Sequence, residues 1–573
     1  MHETHDLKKP NFLKGAAILA ATGIFVKIIG ALYKLPLFRL MGDEGTGYFQ
    51  ATYNVYALLL AISTAGIPVA MSRLVSSAAA RGDTSLAKRY FSVAMPVFIA
   101  VGIIVMLAMF IFANELAQLM NSTLAVYGIR VLSPAVFFVC MIAVFRGYAQ
   151  GFENMIPTAA SQIVEVLSKA VIGIILAFLL VRFGYEAQYV SAGAITGVTI
   201  GLGLCIPLMM WYKRKIDRSI VRSDESGISV SSNSPELPER RGTNGSLNTS
   251  EPNESSSRTK LFLQIMKVSI PITLCASFMS IMLVIDASVV SDRLQTILKL
   301  TESEAMAQYG VYAKGLSIYN LPPSLIVPLA VSIIPAIAGA IARKSRDEAS
   351  IITQASVKLT NLVAMPACAG IMVLAGPILK ALYYDPRQSP ETVATMTTIL
   401  VILGAASYFV CFQHLTIAVL QANGHERVPL MTFPVGAILK IAISYYLVAN
   451  PDIGIVGTAI GTLTCFAVIT SLNVIFITMK IKERMKVVNG FLKPLFCAII
   501  MAATAYLTYE GAYMLGSGLL GTNYKAVIVY LALAILTGVI VYTVLIVITR
   551  TITKEDLSYV PKGEKLAKIL KVK

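Results

Sequence analysis

A few groups that carry charge or titrate stand inside the long apolar runs of this 573-residue chain. Lys27, Lys34 and Arg39 lie in or beside the first run, Lys169 in the fifth, Lys314 in the eighth and Lys440 in the eleventh. The acidic ones are Glu165 in the fifth run and Asp286 in the seventh, with Arg130 near the end of the fourth and His414 in the tenth. These residues offer no clustered nucleophile, base and orienting group for covalent chemistry. The seven cysteines (Cys140, Cys205, Cys275, Cys368, Cys411, Cys465, Cys497) sit in apolar runs without metal-ligand spacing and read as small packing residues. What is left is electrostatics. Cations outnumber anions in the first and eighth runs, which suits a polyanion, and lysine is a hydrated point charge that can hold such a group and release it.

Each charged residue also has a plainer reading. Glu165 and Lys169 stand four apart on one helical face, so they can neutralise each other instead of meeting an anion. Lys440 has Gly436 at the equivalent position and no local partner. Lys34 and Arg39 are near enough to a span end to anchor at the interface or to line a cavity. Lys27 is about eleven residues into its run, too deep for easy snorkelling, and Lys314 precedes a proline-rich stretch; both are expected to line a cavity. Asp286 pairs with a lysine or holds a coupling cation, and Glu165 shares that choice. His414 reads as a satisfied polar residue or a proton carrier.

The elements that position these groups follow from composition. Hydrophobic residues make up 56% of the chain and charged ones 14%, too little polar surface for a soluble protein of this length. Runs of about 18 to 25 apolar residues, each long enough to cross roughly 30 Å of hydrocarbon as a helix, predict about fourteen spans. They cover 16–36, 48–71, 91–113, 124–145, 158–181, 189–212, 262–290, 308–341, 356–384, 392–421, 430–449, 454–479, 491–514 and 525–549. The eighth contains Pro322, Pro323, Pro328 and Pro335 and is expected to kink or break. The net charge of +17 is not spread as a nucleic-acid-binding face. About 34 basic residues fall in alternate loops and the termini against about 8 in the opposite loops, so both termini are expected in the cytoplasm and no nucleic acid is expected as partner. The first run carries Lys27 at its middle, and the charge bias works only if it is retained, so it reads as a span and not as a signal peptide.

Residues 213–261 read as a disordered cytoplasmic linker, with SSNSPELPERRGTNGSLNTSEPNESSS almost free of large apolar side chains. Six spans precede it and eight follow, and the two sides repeat at an offset of about 270. SVAMP at Ser92–Pro96 returns as LVAMP at Leu362–Pro366, Gln150 and Pro157 as Gln421 and Pro429, and Lys169 as Lys440; YNVYAL at Tyr53 relates similarly to IYNLPP at Ile318. The expected architecture is an all-α polytopic membrane protein of about fourteen transmembrane helices. It comprises a six-helix lobe over 1–212, the linker 213–261, a pseudo-symmetric six-helix lobe over 262–490, two further helices over 491–549 and a basic cytoplasmic tail over 550–573. Two parallel bundles suit alternating access, with a site between them near the midplane.

The stretch from Phe12 to Val75, with FVKIIGALYKLPLFR and GIPVAMS, resembles the opening of MurJ-type lipid II flippases and stage V sporulation B proteins, members of the multidrug/oligosaccharidyl-lipid/polysaccharide exporter superfamily. The likeness extends over nearly the whole chain. It implies two lobes forming a V around a cationic cavity, with the last two helices making a groove for a polyprenyl tail. Lys27 and Lys34 fall where the family has basic residues in helix one, VYAKGL places Lys314 at a basic position of helix eight, and Asp286 in LVIDAS matches an acidic position associated with cation binding. Helix two lacks the arginines often found in relatives, and helix eleven lacks an Asn and Asp pair to complete a sodium site.

The expected function is therefore flipping of an undecaprenyl-diphosphate-linked saccharide, such as a lipid II-like peptidoglycan precursor, from the inner to the outer leaflet. This would be the work of a monomeric, non-enzymatic carrier without cofactor in a bacterial cell membrane, coupled to a monovalent cation or to the membrane potential. The substrate-binding residues expected are Lys27, Lys34, Arg39, Lys314, Lys169 and Lys440, with Asp286 and Glu165 as coupling-ion site or charge partner. The alternatives are an antiporter for organic cations and a flippase for a capsular or other polysaccharide precursor.

Overall fold

The structure, a computed structural model, describes residues 22–551 apart from 226–257, 482–486, 518–520 and the single positions 24, 31, 65, 82, 153, 344, 384, 386, 387, 522 and 550. Among the described residues the chain is helical and has no strand. After helical residues in 22–32 come α1 (Lys34–Thr64), α2 (Ile67–Ala80), α3 (Thr84–Ile111), α4 (Ala113–Leu119), α5 (Val126–Gly151), α6 (Ile156–Arg182), α7 (Ala187–Glu225), α8 (Arg258–Thr296) and α9 (Glu302–Tyr319). The remainder are α10 (Leu321–Ala342), α11 (Arg346–Val373), α12 (Ala375–Tyr383), α13 (Pro390–Ala422), α14 (Arg427–Val448), α15 (Val456–Lys480), α16 (Val487–Gly516) and α17 (Tyr524–Ile548).

Ten helices among the described residues are long and apolar enough to cross a membrane as single pieces. This is a multi-pass membrane protein. The expected first, second, seventh and eighth spans are not among the ten. The first and second meet inside α1, where Gly42 takes φ 69°, ψ −168°, a left-handed turn that only glycine adopts without strain. The second is interrupted between Thr64 and Ile67, where Pro68 opens α2. The eighth breaks at Asn320, between α9 and α10, because Pro322 and Pro323 lack the amide hydrogens needed to continue the ladder.

Local sequence accounts for several helix starts. Asp83 accepts from the Leu86 amide at 2.7 Å to cap α3. Thr301 and Glu304 form a reciprocal capping box at the start of α9. Hydrogen bonds from the Thr301 amide and hydroxyl hold the Glu304 carboxyl below its usual range. The repeated AMP segments put Pro96 inside α3 and Pro366 inside α11.

The linker begins later than expected. Helix α7 runs on through Glu225, tied down by Lys213–Asp217 at 2.6 Å and by Tyr148 donating to Asp217 at 2.9 Å, so residues 213–225 extend the sixth span. Its central part, 226–257, lies outside the described residues, as does the expected tail except Thr551.

Helices α1, α2, α3, α5, α6 and α7 pack on one another, and so do α9, α10, α11, α13, α14 and α15. Helix α8 touches members of both sets, α16 and α17 pair with each other, and α16 lies against α11. The largest apolar core draws on both sets: Leu37, Phe38, Tyr48 and Phe49 meet Met306, Tyr309 and Tyr312 there.

Candidate functional site: a cavity walled by tyrosines and buried lysines

Helices α1, α8, α9, α13, α14 and α15 surround a cavity of about 390 Å³. Lys34, Gln50, Tyr53 and Asn54 of α1 line one wall, and Asp286 of α8, Tyr309 and Tyr312 of α9, His414 of α13 and Lys440 of α14 line the others. Gln50 Nε2 donates to Asn54 Oδ1 at 2.8 Å, and Asn54 Nδ2 donates to Tyr309 Oη at 3.0 Å, which joins α1 to α9 through buried amide and phenol groups. Tyr312 and Thr462 hydroxyls are 2.9 Å apart.

The cavity contains a buried ion pair. Lys440 Nζ is 2.8 Å from Asp286 Oδ2, and the residues are 6% and 3% exposed. The second carboxylate oxygen, Oδ1, is buried and has no hydrogen-bond partner among the described residues. Such a pair is costly to break by removing one partner, because the survivor is an uncompensated buried charge.

Beside the cavity, α1 and α9 are pressed together. A Cβ on Gly310 would stand 1.8 Å from the Asp43 carbonyl oxygen, and one on Gly47 2.0 Å from the Met306 carbonyl oxygen, so glycine is required at both crossings. Here Lys314, 1% exposed, places Nζ 2.5 Å from Asp43 Oδ1, and Gln388 donates to Asp43 Oδ2 at 2.7 Å. Glu302 accepts from Thr123 Oγ1 at 2.5 Å and from the Leu124 amide at 2.9 Å. These contacts tie α9 to α1 and to the turn before α5.

The expected site residues therefore part company. Lys34 and Lys440 line the cavity. Lys34 is half-buried, with Nζ 5.8 Å from the Phe38 ring centroid, and among the described residues no carboxylate is ion-paired with it. Lys314, expected in the cavity, is instead buried against Asp43, 271 residues away along the chain. Glu165 does not pair with Lys169: it meets Arg146 at 3.2 Å, because its face of α6 turns toward α5, where Arg146 also donates to Ser161 at 2.9 Å. Lys169 Nζ lies 5.9 Å from the Tyr33 ring centroid, close enough to Lys34 for the two charges to interact. Lys440 does have a partner, brought from another helix. Lys27 is exposed but within electrostatic reach of His414, and Arg39 and Arg130 are exposed. Six cysteines are buried, and the side chain of Cys275 lies outside the described residues.

Sequence reasoning missed Asp43, Arg146 and the polar α1–α9 contact. The available signal for the contact was the density of amides and phenols in QATYNVY and QYGVY, polar groups that need partners inside an apolar span.

A second concavity, about 370 Å³ and almost wholly apolar, runs between α11 and the last two helices. Pro366 and Gly370 line one side, and Met501, Ala505, Gly538 and Tyr542 the other. Tyr542 donates to the Leu362 carbonyl at 2.9 Å and fixes α17 against α11.

Comparison with known proteins agrees with this architecture. Three proteins of Bacillus subtilis (strain 168) align with the chain. The uncharacterized membrane protein YabM is 24% identical, covering 100% of this chain and 99% of its own. Stage V sporulation protein B is 24% identical over 97% and 98%, and the lipid II flippase MurJ is 23% identical over 78% and 80%. Among solved structures, lipid II flippase MurJ in an inward closed conformation superposes with TM-score 0.64 at 16% identity, over 92% of this chain and 99% of that one. An inward-facing multidrug resistance MATE family transporter of the MOP superfamily gives 0.62 at 16% identity, over 81% and 98%. The polysaccharide biosynthesis protein family matches residues 12–341, more than half of the chain, and the chain belongs to that family.

Proposed function

We propose that this protein is an alternating-access carrier that flips a polyprenyl-diphosphate-linked saccharide across a bacterial cell membrane, with α1–α7 and α8–α15 acting as two lobes. The observation that carries the reading is the pairing of a cavity containing Lys34 and Lys440 with a separate apolar groove beside α16 and α17. A diphosphate head group suits the first and a polyprenyl tail the second. Keeping the tail in the groove or the bilayer avoids dragging phosphate and sugar hydroxyls through hydrocarbon.

Each lysine–phosphate contact at about 4 Å supplies about 4 kcal/mol of attraction at an effective dielectric of about 20, before desolvation. At about 390 Å³ the cavity has the size of a pocket for a drug-sized molecule, so a whole saccharide needs the lobes to open further. With the basic loops and termini inside, the membrane potential favours export of an anion by about 2.3 kcal/mol per charge per 100 mV. No covalent step enters the cycle, so the reading is of a carrier and not an enzyme. The relatives' names favour a cell-wall precursor without choosing between lipid II and another lipid-linked saccharide.

The test is complementation of bacteria depleted of their lipid II flippase, with the parent beside Lys34→Ala and Lys27→Ala. Rescue by the parent and loss with Lys34→Ala is the expected result. Rescue undiminished by Lys34→Ala would overturn the cavity assignment, and failure of the parent would direct the search to a different lipid-linked sugar. Resistance to cationic drugs conferred by the parent, without rescue, would favour an antiporter instead.

A further inference from the structure

We propose that Lys380, Tyr509 and Tyr513 form a seat for the phosphate of a polyprenyl lipid at the outer end of the groove beside α16 and α17, holding the exported head group at the outer surface while its tail lies in the groove. This rests on the reading of the passenger as a polyprenyl phosphate ester. The basic segments before α11, with Arg343, and before α16, with Lys480 and Lys486, mark the cytoplasmic ends of those helices. Lys380, in the last turn of α12, stands at the opposite end. Groove and seat are continuous: Leu374, Ile378 and Ala505 line the groove, and the apolar cluster they belong to takes in Tyr509, Tyr513 and Tyr530. Lys380 is half-buried, with Nζ 5.9 Å from the Tyr513 ring centroid. Among the described residues no carboxylate is ion-paired with it, Glu510 beside Tyr509 included.

The tyrosines around Lys380 differ from an interfacial belt facing lipid, since Tyr509 is 7% and Tyr530 3% exposed and their rings are held by protein. Tyr513 stacks on Tyr509 with centroids 6.2 Å apart. The Tyr530 hydroxyl already donates to the Gly521 carbonyl at 3.2 Å, which leaves the phenols of Tyr509 and Tyr513 beside the ammonium. A phosphate supplies acceptors for all three donors, and a charge-assisted bond from lysine is the strong one among them. Length selects the lipid. Leu536 is midway along α17, and the groove runs on that helix from Ala534 to Thr543, so most of it lies past the middle of the bilayer as counted from the seat. From Tyr530 to Tyr542 the helix rises about 18 Å, against about 15 Å for one leaflet of hydrocarbon. The chains of an outer-leaflet glycerophospholipid end near the midplane, whereas a polyprenyl chain continues beyond it.

The experiment is photolabelling of the purified full-length protein in detergent with undecaprenyl phosphate carrying a diazirine beside its phosphate, the labelled peptides being mapped by mass spectrometry. Label should fall on the peptides around Lys380 and Tyr513, drop about tenfold or more there in Lys380→Gln, and return in Lys380→Arg, which keeps the charge. Unlabelled undecaprenyl phosphate should compete, and undecaprenol or dioleoyl phosphatidylglycerol at the same concentration should compete at least about tenfold less well. Equal labelling of these peptides in parent and Lys380→Gln, or label confined to the peptides of the lysine-lined cavity, would overturn the seat while leaving the carrier reading intact. Equal competition by phosphatidylglycerol would make the occupant an ordinary phospholipid and overturn the proposal. A parent that labels at the seat yet fails complementation would keep the seat and lose the lipid II carrier reading. Thermal unfolding in the same detergent distinguishes a misfolded variant.

Discussion

Replacing Asp43 by Asn should open the end of the molecule where α1 crosses α9. Lys314 is 1% and Asp43 16% exposed in side-chain terms, with Nζ and Oδ1 2.5 Å apart. At an effective dielectric of about 20 the bare attraction at that distance is about 7 kcal/mol, and desolvation of the lysine consumes most of it. Removing one partner from a buried pair costs about 3 to 5 kcal/mol. Asparagine still offers Lys314 an amide oxygen and the carboxylate is partly exposed, so the lower figure, about 3 kcal/mol, applies to the closed state. In an open state, where water reaches Lys314, little of that cost remains. The closed-to-open ratio should therefore fall by about 150-fold. Ala305 is buried one turn before Tyr309 on the face of α9 that meets α1, so Ala305→Cys, with the native cysteines replaced by alanine, reports opening by its rate of maleimide labelling. Asp43→Asn should raise that rate steeply, whereas Asp43→Asn with Lys314→Gln, which leaves no unpaired charge, should return it to within about fivefold of the parent. Labelling by Asp43→Asn at the parental rate, or equally fast labelling by the double variant, would refute the argument.

Gly310→Ala tests the same closure without touching charge. Its Cβ would need to move about 1.6 Å from the Asp43 carbonyl to reach ordinary contact, and overpacking of about 1 to 3 kcal/mol should speed Ala305→Cys labelling by about 5- to 150-fold. Gly538→Phe tests the groove: a Cβ there meets Ala505 Cβ and Met501 Cγ at an ordinary 3.5 Å, so the ring fits by occupying the groove itself. Flipping of a long-chain polyprenyl diphosphate in liposomes should fall about tenfold or more while farnesyl diphosphate binding is unchanged, and equal losses in both assays would separate the groove from the tail.

Much of the architecture was legible because a membrane span is a local property: length and apolarity decide it within one stretch of chain. The break at Asn320 was legible for the same reason, since Pro322 and Pro323 remove backbone donors wherever they stand. Where the sixth span ends was not. Residues 213–225 are polar enough to read as linker, yet Asp217 receives Lys213 from its own helix and Tyr148 from another, and the second of these partners is invisible in local composition. The kink at Gly42 was hidden similarly, because one glycine among thirty-nine declares a positive-φ conformation only once the two helices it joins are known to break there.

The charged residues show the limit more sharply. Counting lysines in spans treated each as a free cation, but burial makes an unpaired ammonium so costly that a partner is recruited from any distance along the chain. Lys314 finds Asp43 271 residues away, and Lys440 finds Asp286 on another helix. Helical spacing nominated Lys169 for Glu165, and the tertiary packing chose Arg146, because four-residue spacing says that two side chains can meet and not which way their shared face turns. The positive charge available to a passenger in this conformation is consequently smaller than the sequence count. Lys34 faces the cavity without an ion-paired carboxylate among the described residues, Lys169 stands near it, and the charges of Lys314 and Lys440 are stored in pairs that only a conformational change or a competing anion releases.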